Sequence, residues 1–165
     1  MSVIREARKE DFNAIAEIYN YYIRETVISF EESEIDSEEI SGRIGKVVSS
    51  GLWWLVYEED GCILGYAYAS KWNERAAYKN TVDVSVYLNH QITGRGYGSK
   101  LYDELFDRLK HKSIHIVIGG IALPNPKSVS LHEKFGMKQV AHFKQVGYKF
   151  GRWIDVGYWQ AQPNA

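Results

Sequence analysis

Cysteine, net charge and long apolar runs are all scarce in this sequence, and each scarcity excludes a class of protein. The lone cysteine, Cys62, has no partner for an intrachain disulfide and favours a reducing compartment. The 20 Lys and Arg residues nearly balance the 21 Asp and Glu residues, so no basic surface predicts binding to nucleic acid or to an anionic membrane. No apolar run has the length of a membrane span, and the N-terminal stretch is charged. These features predict a cytoplasmic protein.

The sequence has no linker, repeat or low-complexity tract, so residues 1–165 are expected to form one domain with one core. Aromatic residues are plentiful, at 14% of the chain. They either fill the core and surface grooves or line a pocket for a small molecule.

Hydrophobic periodicity predicts a mixed α/β sheet with the element order β-α-α-β-β-β-α-β-α-β-β. The expected helices are 10–23, 36–49, a third that runs to Lys110 and 127–135; the expected strands are 3–7, 53–57, 62–69, 81–88, 114–121, 138–145 and 154–160. Asp36 with Glu39 is typical of a helix capping box, and Asp60-Gly61 of a hairpin turn. The apolar run from 114 to 121 indicates a central strand that is covered on both faces.

A glycine-rich stretch, QITGRGYGSKL, lies between the fourth strand and the third helix. Its three alternate glycines, Gly94, Gly96 and Gly98, are expected to adopt positive φ angles and to let a ligand approach the backbone closely. The first N–H groups of a helix lack intrahelical acceptors and sit at the positive end of its dipole, so the stretch predicts a cradle for phosphate groups.

The position of this cradle excludes two common nucleotide sites. A dinucleotide fold has G-x-G-x-x-G after its first strand, whereas this chain has G-x-G-x-G after its fourth. The P-loop pattern G-x-x-x-x-G-K-[ST] is also missing from the sequence.

The pattern Gln91-x-x-Gly94-x-Gly96, between a strand ending in VYL and a long helix, resembles the acetyl-CoA pyrophosphate motif of the GNAT superfamily of N-acetyltransferases. Asn125 and the stretch LHEKFGM at 131–137 match the second motif of that superfamily. Within it, the chain is similar over nearly its full length to the phosphinothricin and methionine sulfoximine acetyltransferases. The shared stretches are IREA, AIAEIYNYYI, GYAYAS, TVDVSVYL, SLHEKFG and VGYKFGRWIDVGYWQ.

The resemblance implies a site for acetyl-CoA. Backbone groups of the fourth strand would pair with the pantetheine amides, and the glycine turn would hold the pyrophosphate. Asn125 would contact the pantetheine arm, although capping of the following helix is an equally good role. Arg95 and Lys100 would either flank the phosphates or remain solvated. The residues that the resemblance assigns to the cofactor are Val86, Tyr87, Leu88, Gln91, Gly94, Arg95, Gly96, Tyr97, Gly98, Ser99 and Asn125.

The resemblance also implies two catalytic residues. Asp83 stands where this subfamily usually has a glutamate base, and its carboxylate would fall roughly 1.5 Å, about one C–C bond, further back, which favours a water relay. A structural salt bridge or hydrogen bond on the face of the strand is the alternative role. His132 stands where many superfamily members have a tyrosine that protonates the leaving thiolate, and packing is its alternative role. A backbone N–H near Tyr87 would stabilise the oxyanion, with no covalent enzyme intermediate, and Cys62 would be a small core residue.

The loop SKWNERAAYKN, residues 70–80, is implied to hold the acidic end of the acceptor. Arg75 is suited to a bidentate grip on a carboxylate or phosphinate. The pocket walls would come from Trp72, Asn73 and Tyr78 with Phe30. The alternatives are that Trp72 and Tyr78 simply pack and that Arg75 is solvated.

These implications favour transfer of an acetyl group to the α-amino group of a small amino-acid-like compound such as phosphinothricin, methionine sulfoximine or methionine sulfone. A protein or peptide amine as acceptor, and a non-catalytic acyl-CoA-binding module, are the alternatives. The histidines show no metal-ligand spacing, so no metal is expected. The stretch GYKFGRW, residues 147–153, is expected to be a basic aromatic loop near a homodimer contact.

Overall fold

A computed structural model describes residues 1–164, and a seven-stranded sheet runs through its centre. The strands follow the spatial order β1-β2-β3-β4-β5-β7-β6, and every neighbouring pair is antiparallel except β4 with β5. Their bounds are Ser2–Glu6 (β1), Trp54–Glu59 (β2), Cys62–Lys71 (β3), Thr81–Leu88 (β4), Ile116–Leu123 (β5), Lys138–Lys149 (β6) and Arg152–Ala161 (β7).

Four α-helices cover the sheet: Phe12–Glu25 (α1), Ser37–Ser49 (α2), Tyr97–His111 (α3) and Pro126–Lys134 (α4). The alternation of side chains along β4 shows which helices lie on which face. The Tyr87 ring contacts the ring of Tyr22 from α1, whereas the Leu88 side chain lies next to Gly98 at the start of α3. The helices α1 and α2, which pack on each other, therefore cover one face, and α3 covers the opposite face.

The pairing of β4 with β5 is short. Only Thr81, Val82 and Asp83 of β4 are in register with residues of β5, and both strands continue for several residues beyond that point. Because parallel strands that stop pairing must separate, the sheet opens into a cleft from Val84 to Leu88. Several of the residues predicted for the site line this cleft.

The mixed α/β class, the element order and the central position of β5 are confirmed. Asp36 is the N-cap of α2, where its Oδ1 accepts the N–H of Glu39 at 2.9 Å. Asp60 and Gly61 both have positive φ angles, of 50° and 80°, in the turn between β2 and β3. These local signals therefore gave the correct structure.

The last hairpin was predicted wrongly. Residues 147–153 do not form a loop: β6 continues to Lys149, β7 begins at Arg152, and Phe150 and Gly151 alone make the turn. The strand was expected to end at Gln145. Gln145 has a φ of 54° in a bulge where its N–H donates to Asp155, after which the strand resumes.

Two further expectations need correction at single residues. Cys62 is exposed instead of belonging to the core, because it is the first residue of β3, directly after the turn. Lys149, in the stretch expected to be a basic surface loop, is 3% exposed, and its Nζ donates to the carbonyl oxygens of Ile23 and Ser29.

None of the helices in residues 1–164 combines the length and the apolar content that are needed to cross a membrane.

Candidate active site

The cleft between β4 and β5 brings together residues that are far apart in sequence. It has a volume of about 50 Å³, and it is closed at one side by Ile28 from the connection between α1 and α2. The other lining residues are Val84, Ser85, Val86, Tyr87, Tyr102, Gly120, Ile121, Ala122, Asn125, Ser128 and His132. Four of the residues predicted for the cofactor and for catalysis, namely Val86, Tyr87, Asn125 and His132, therefore line one cavity. Leu88 follows at the end of β4, where its carbonyl oxygen accepts the hydroxyl of Tyr22.

The glycine turn lies at the end of the same strand and leads into α3. Gly94 and Gly96 have positive φ angles of 80° and 82°, and a Cβ at either position would meet no atom within 4 Å. Gly96 is the N-cap of the helix, and no side chain in the described residues caps it. The N–H groups of Tyr97, Gly98 and Ser99 are therefore free of intrahelical acceptors and of a capping side chain. The arrangement can bind an anion.

Gly98 was expected to share the positive φ of the other two glycines, and that expectation is wrong. It lies inside the first turn of α3, where it is buried. A Cβ there would lie 3.3 Å from Leu131 of α4 and 3.7 Å from Leu88. Its lack of a side chain serves close packing of α3 against β4 and α4.

The polar and charged residues near the turn differ in where their side chains lie. Arg95 is exposed in the turn itself, and Gln91 is exposed in a short 3-10 helix before it. The Nζ of Lys100 lies 5.9 Å from the ring centres of Tyr57 and Tyr97, so it points back along α3. Lys134 of α4 donates to the hydroxyl of Ser99 at 3.1 Å and adds a cation that the sequence did not reveal.

Asn125 caps α4, where its Oδ1 accepts the N–H of Ser128 at 3.2 Å. It also lines the cleft. The capping role is therefore confirmed, and it leaves the side-chain amide group at the cavity.

Asp83 lies at the point where β4 and β5 separate. Its Cα is paired with Ser70 of β3 on one side and with Ile118 of β5 on the other. Within residues 1–164 its carboxylate makes no hydrogen bond or ion pair, so the predicted alternative of a salt bridge does not occur there. Burial raises the pKa of Asp83 to about 7, because the ionised form loses hydration without gaining a partner. A carboxyl group with this pKa can take up and release a proton near neutral pH.

His132 is 4% exposed and is held from both ring nitrogens. Its Nδ1 lies 2.7 Å from the carbonyl oxygen of Ser128, one helical turn earlier, and its Nε2 lies 3.0 Å from the hydroxyl of Tyr102. Burial lowers the pKa of His132, and the bond to Ser128 opposes that effect. The histidine is therefore a neutral, oriented ring instead of an exposed cation.

The two predicted catalytic residues lie on opposite sides of the sheet. Asp83 shares the face of Tyr87, which α1 and α2 cover, because both residues are odd-numbered positions of one strand. His132 packs on Gly119, where a Cβ would lie only 2.7 Å from its ring, and on Tyr102 of α3. They therefore flank the opening in the sheet from its two faces.

The loop expected to hold the acceptor is largely exposed. The side chain of Arg75 is exposed, and its backbone N–H donates to Oδ1 of Asn73 at 3.0 Å. Trp72 lies edge to face with Tyr158 at 5.7 Å, and Tyr78 is 43% exposed. Phe30 packs over Gly147 of β6 instead of lining the cleft.

A second cavity, which the sequence did not predict, lies on the same face of the sheet as Asp83. It has a volume of about 240 Å³ and is bounded by α2, by β2 and β3, and by the loop that follows β3; we call it the α2 pocket. Its lining residues are Arg43, Lys46, Val47, Ser50, Trp54, Tyr68, Ser70, Lys71 and Glu74. Ser70 is the register partner of Asp83, so the pocket ends one strand away from that carboxyl group.

Tyr102 is the other residue that sequence reasoning missed. Its sequence position matches the apolar face of α3, and it is fully buried. A tyrosine on such a face has to place its hydroxyl on a polar partner, which was the available signal. The partner of that hydroxyl, His132, is identified only when the fold is known.

Residues 1–164 contain no group of three or more His, Cys, Asp or Glu side chains placed to hold a metal ion.

Comparisons with known proteins agree with this geometry. Residues 4–157 match the family model described as an acetyltransferase (GNAT) domain. The chain is 39% identical to a phosphinothricin N-acetyltransferase from Alcaligenes faecalis, over 98% of this chain and 83% of that protein. It is 35% identical to the L-methionine sulfoximine/L-methionine sulfone acetyltransferase of Salmonella typhimurium, over 96% of this chain and 93% of that protein.

A solved structure has the same fold over the same extent. It is an acetyltransferase from Salmonella typhimurium with its cofactor acetyl-CoA, with a TM-score of 0.95 and 34% identity, and the match covers 98% of this chain and 94% of that one. The resemblance inferred from the sequence motifs is therefore confirmed: this chain belongs to the GNAT family of acetyltransferases.

Proposed function

We propose that the protein transfers the acetyl group of acetyl-CoA to the α-amino group of a small amino-acid-like compound, such as phosphinothricin, methionine sulfoximine or methionine sulfone. One observation carries this proposal. The unpaired edge of β4 runs from the uncapped N-terminus of α3 to an unpaired carboxyl group, Asp83, at the base of the cleft. A donor with phosphate groups at one end and a reactive group at the other fits such a track.

The residues present fit acetyl-CoA. The free N–H groups of Tyr97–Ser99, next to glycines with positive φ, suit the pyrophosphate. The unpaired edge of Val86–Leu88 suits the pantetheine amides, as an added strand would, and Asn125 offers an amide group at the cavity. When bound, acetyl-CoA supplies an acetyl group that is activated as a thioester. Gln91 and Arg95 are exposed at the rim, where they would meet the outer phosphates.

Asp83 is the proposed base. An ammonium group must lose a proton before its nitrogen can attack. The Asp83 carboxylate, with a pKa of about 7, is suited to take up that proton near neutral pH. Its shorter side chain favours transfer through one water molecule.

His132 and Tyr102 form the proposed proton-donating side. Their hydrogen bond orients the hydroxyl of Tyr102 in the cleft next to His132. Acceptor binding is assigned to Phe30, Trp72, Asn73, Arg75 and Tyr78 together with the α2 pocket.

Thiol release with a panel of acceptors tests the function. Wild-type protein is expected to release CoA thiol with phosphinothricin, methionine sulfoximine or methionine sulfone well above the rate of hydrolysis. Asp83→Asn is expected to lower kcat/KM by about 10²–10⁴-fold. Acetyl-CoA binding without turnover on any amine would contradict the enzymatic role, and turnover on peptide amines alone would contradict the small-molecule acceptor.

We also propose a homodimer formed through the end of the β6–β7 hairpin. The aromatic side chains there, among them Tyr148, Phe150 and Trp153, are 57%, 60% and 63% exposed. Such a surface favours a protein contact.

A cytoplasmic location, one domain over residues 1–165 and a role in detoxification complete the proposal. The single cysteine and the family of the relatives support these assignments.

A further inference from the structure

The α2 pocket has the composition of a site for a short apolar stem with a charged end. Its inner wall is aromatic: the rings of Trp54 and Tyr68 are stacked at 4.0 Å, and Val47 of α2 faces the same cavity. Trp54 is 3% exposed, and its indole N–H has no hydrogen-bond partner among the described residues. The indole N–H is therefore enclosed by the protein, and the aromatic rings supply an apolar wall for the stem of a ligand.

The rim of the pocket carries more positive than negative charge. Arg43 is already neutralised, because both oxygens of Glu31 accept from its guanidinium at 2.7 and 2.8 Å and Glu39 lies 3.5 Å from its Nε. Lys46 and Lys71 instead share one carboxylate, that of Glu74, at 3.8 Å each. These two contacts are long and exposed, so they hold the ammonium groups weakly. Lys46, Lys71 and Glu74 together therefore keep one positive charge that a ligand can pair with.

The position of the pocket relates it to the proposed base. Ser70 lines the pocket and is paired in register with Asp83, and residues opposite each other in antiparallel strands have Cα atoms about 5 Å apart. Tyr68, the next lining residue, is paired with Ser85, which lines the β4–β5 cleft. An amino acid whose amine lies at Asp83 could thus extend its side chain along β3 into the α2 pocket.

We propose that the α2 pocket binds the side chain of the acceptor and that Lys46 and Lys71 select acceptors with an anionic side-chain end. This inference rests on the proposed acetyl transfer and refines its substrate class. Phosphinothricin fits both parts of the pocket, because its carbon stem can pack on the apolar wall and its ionised phosphinate can pair with the lysines at the rim. Methionine sulfone has a stem of similar length but a neutral end, so it gains nothing from the two lysines. The pocket therefore predicts a preference for anionic amino acids.

Calorimetric titration of phosphinothricin and of methionine sulfone, with CoA present, tests the pocket without requiring turnover. The double variant Lys46→Met/Lys71→Met is expected to bind phosphinothricin at least tenfold more weakly and methionine sulfone within twofold of wild type. The charge-keeping variant Lys46→Arg/Lys71→Arg should retain most of the affinity. Lys110→Met, which removes an exposed lysine at the far end of α3, serves as the control and should change neither titration.

A further variant is expected to strengthen phosphinothricin binding instead of weakening it. Glu74→Gln releases both lysines from their shared carboxylate and is expected to tighten phosphinothricin binding severalfold. Three results would overturn the proposal: no binding of phosphinothricin by wild-type protein, equal losses for both ligands in the double lysine variant, or a loss that appears only with Arg75→Ala. Thiol release measured in parallel separates the two proposals. Charge-dependent binding without acetyl transfer refutes the enzymatic function, whereas transfer without charge dependence refutes the pocket.

Discussion

The hydroxyl of Tyr102 on α3 donates a hydrogen bond of 3.0 Å to Nε2 of His132 on α4. The direction of this bond follows from the other ring nitrogen. The Ser128 carbonyl oxygen next to Nδ1 can only accept, so Nδ1 carries the proton and Nε2 is the acceptor. Burial raises the pKa of Tyr102 well above its ordinary value and lowers that of His132, so both groups are neutral near pH 7. The pair presents the hydroxyl oxygen of Tyr102 to the cleft, and the hydroxyl proton must turn away from Nε2 of His132 before a leaving thiolate can take it.

Tyr102→Phe removes that hydroxyl and leaves a buried Nε2 without a donor. We expect kcat to fall by about tenfold or more with KM for the acceptor nearly unchanged, and the free energy of unfolding to fall by about 1–3 kcal/mol. Steady-state kinetics and urea unfolding measure the two effects. Tyr57→Phe, at another buried tyrosine, is the control and should leave kcat unchanged. Unaltered kcat in Tyr102→Phe would show that the pair is only structural.

The pH dependence of activity should report Asp83. If its carboxylate accepts the proton of the amine, kcat/KM must rise with pH through the pKa of about 7 and level off above it. Asp83→Asn should lack this rise as well as most of the activity. A pH–rate profile of each protein from pH 5 to pH 9 provides the measurement. A wild-type profile that is flat across neutral pH would argue against Asp83 as the base.

Asp83 should also make the stability of the protein fall as pH rises, because its pKa is raised on folding. The pKa of Asp83 is raised from 3.8 in the unfolded chain to about 7 in the folded protein, so the folded state binds the proton more tightly. Its contribution to stability is therefore present below pH 4 and is lost as pH rises towards 7. We expect Asp83→Asn to raise the free energy of unfolding at pH 8, by up to about 4 kcal/mol, and to change it little at pH 4. Urea unfolding of both proteins at the two pH values decides this, and a destabilised variant at pH 8 would contradict it.

Gly96→Ala should weaken acetyl-CoA binding. The new methyl group meets no neighbour, but a φ of 82° strains an alanine by about 1 kcal/mol and is expected to displace the first N–H groups of α3. We predict a KM for acetyl-CoA that is about fivefold to tenfold higher. Gly61→Ala has the same strain, at a φ of 80° and with equally open surroundings, in the distant β2–β3 turn. It should lose similar stability without any change in KM, and equal KM effects in the two variants would refute the cradle.

Trp153→Glu tests the proposed homodimer. The side chain is 63% exposed and lies against Tyr148 across the hairpin, with ring centres 4.6 Å apart, so a charge there should not disturb the core. We expect sedimentation velocity to show a dimer for wild-type protein and a monomer, or a dimer at least tenfold weaker, for the variant. A wild-type monomer at micromolar concentration would refute the proposal.

The sequence by itself determined the order of the elements and the cradle. Helix stripes, the Asp36 cap, the Asp60-Gly61 turn and the glycine-rich stretch depend on neighbours within a few residues, so their physics can be read locally. The wrong predictions concern residues whose conformation depends on segments that are distant in the sequence. The strand β6 is continued beyond Gln145 by its pairing with β7, and Gly98 packs closely against Leu131, which lies on another helix.

The tertiary structure decided the chemistry of the site. The raised pKa of Asp83 comes from burial without a partner, at the place where β4 and β5 stop pairing. The bond between Tyr102 and His132 joins residues 30 positions apart, and the α2 pocket combines α2 with two strands and a loop. Desolvation and hydrogen bonding between distant segments depend on how the elements pack, and no local pattern in the chain records that packing.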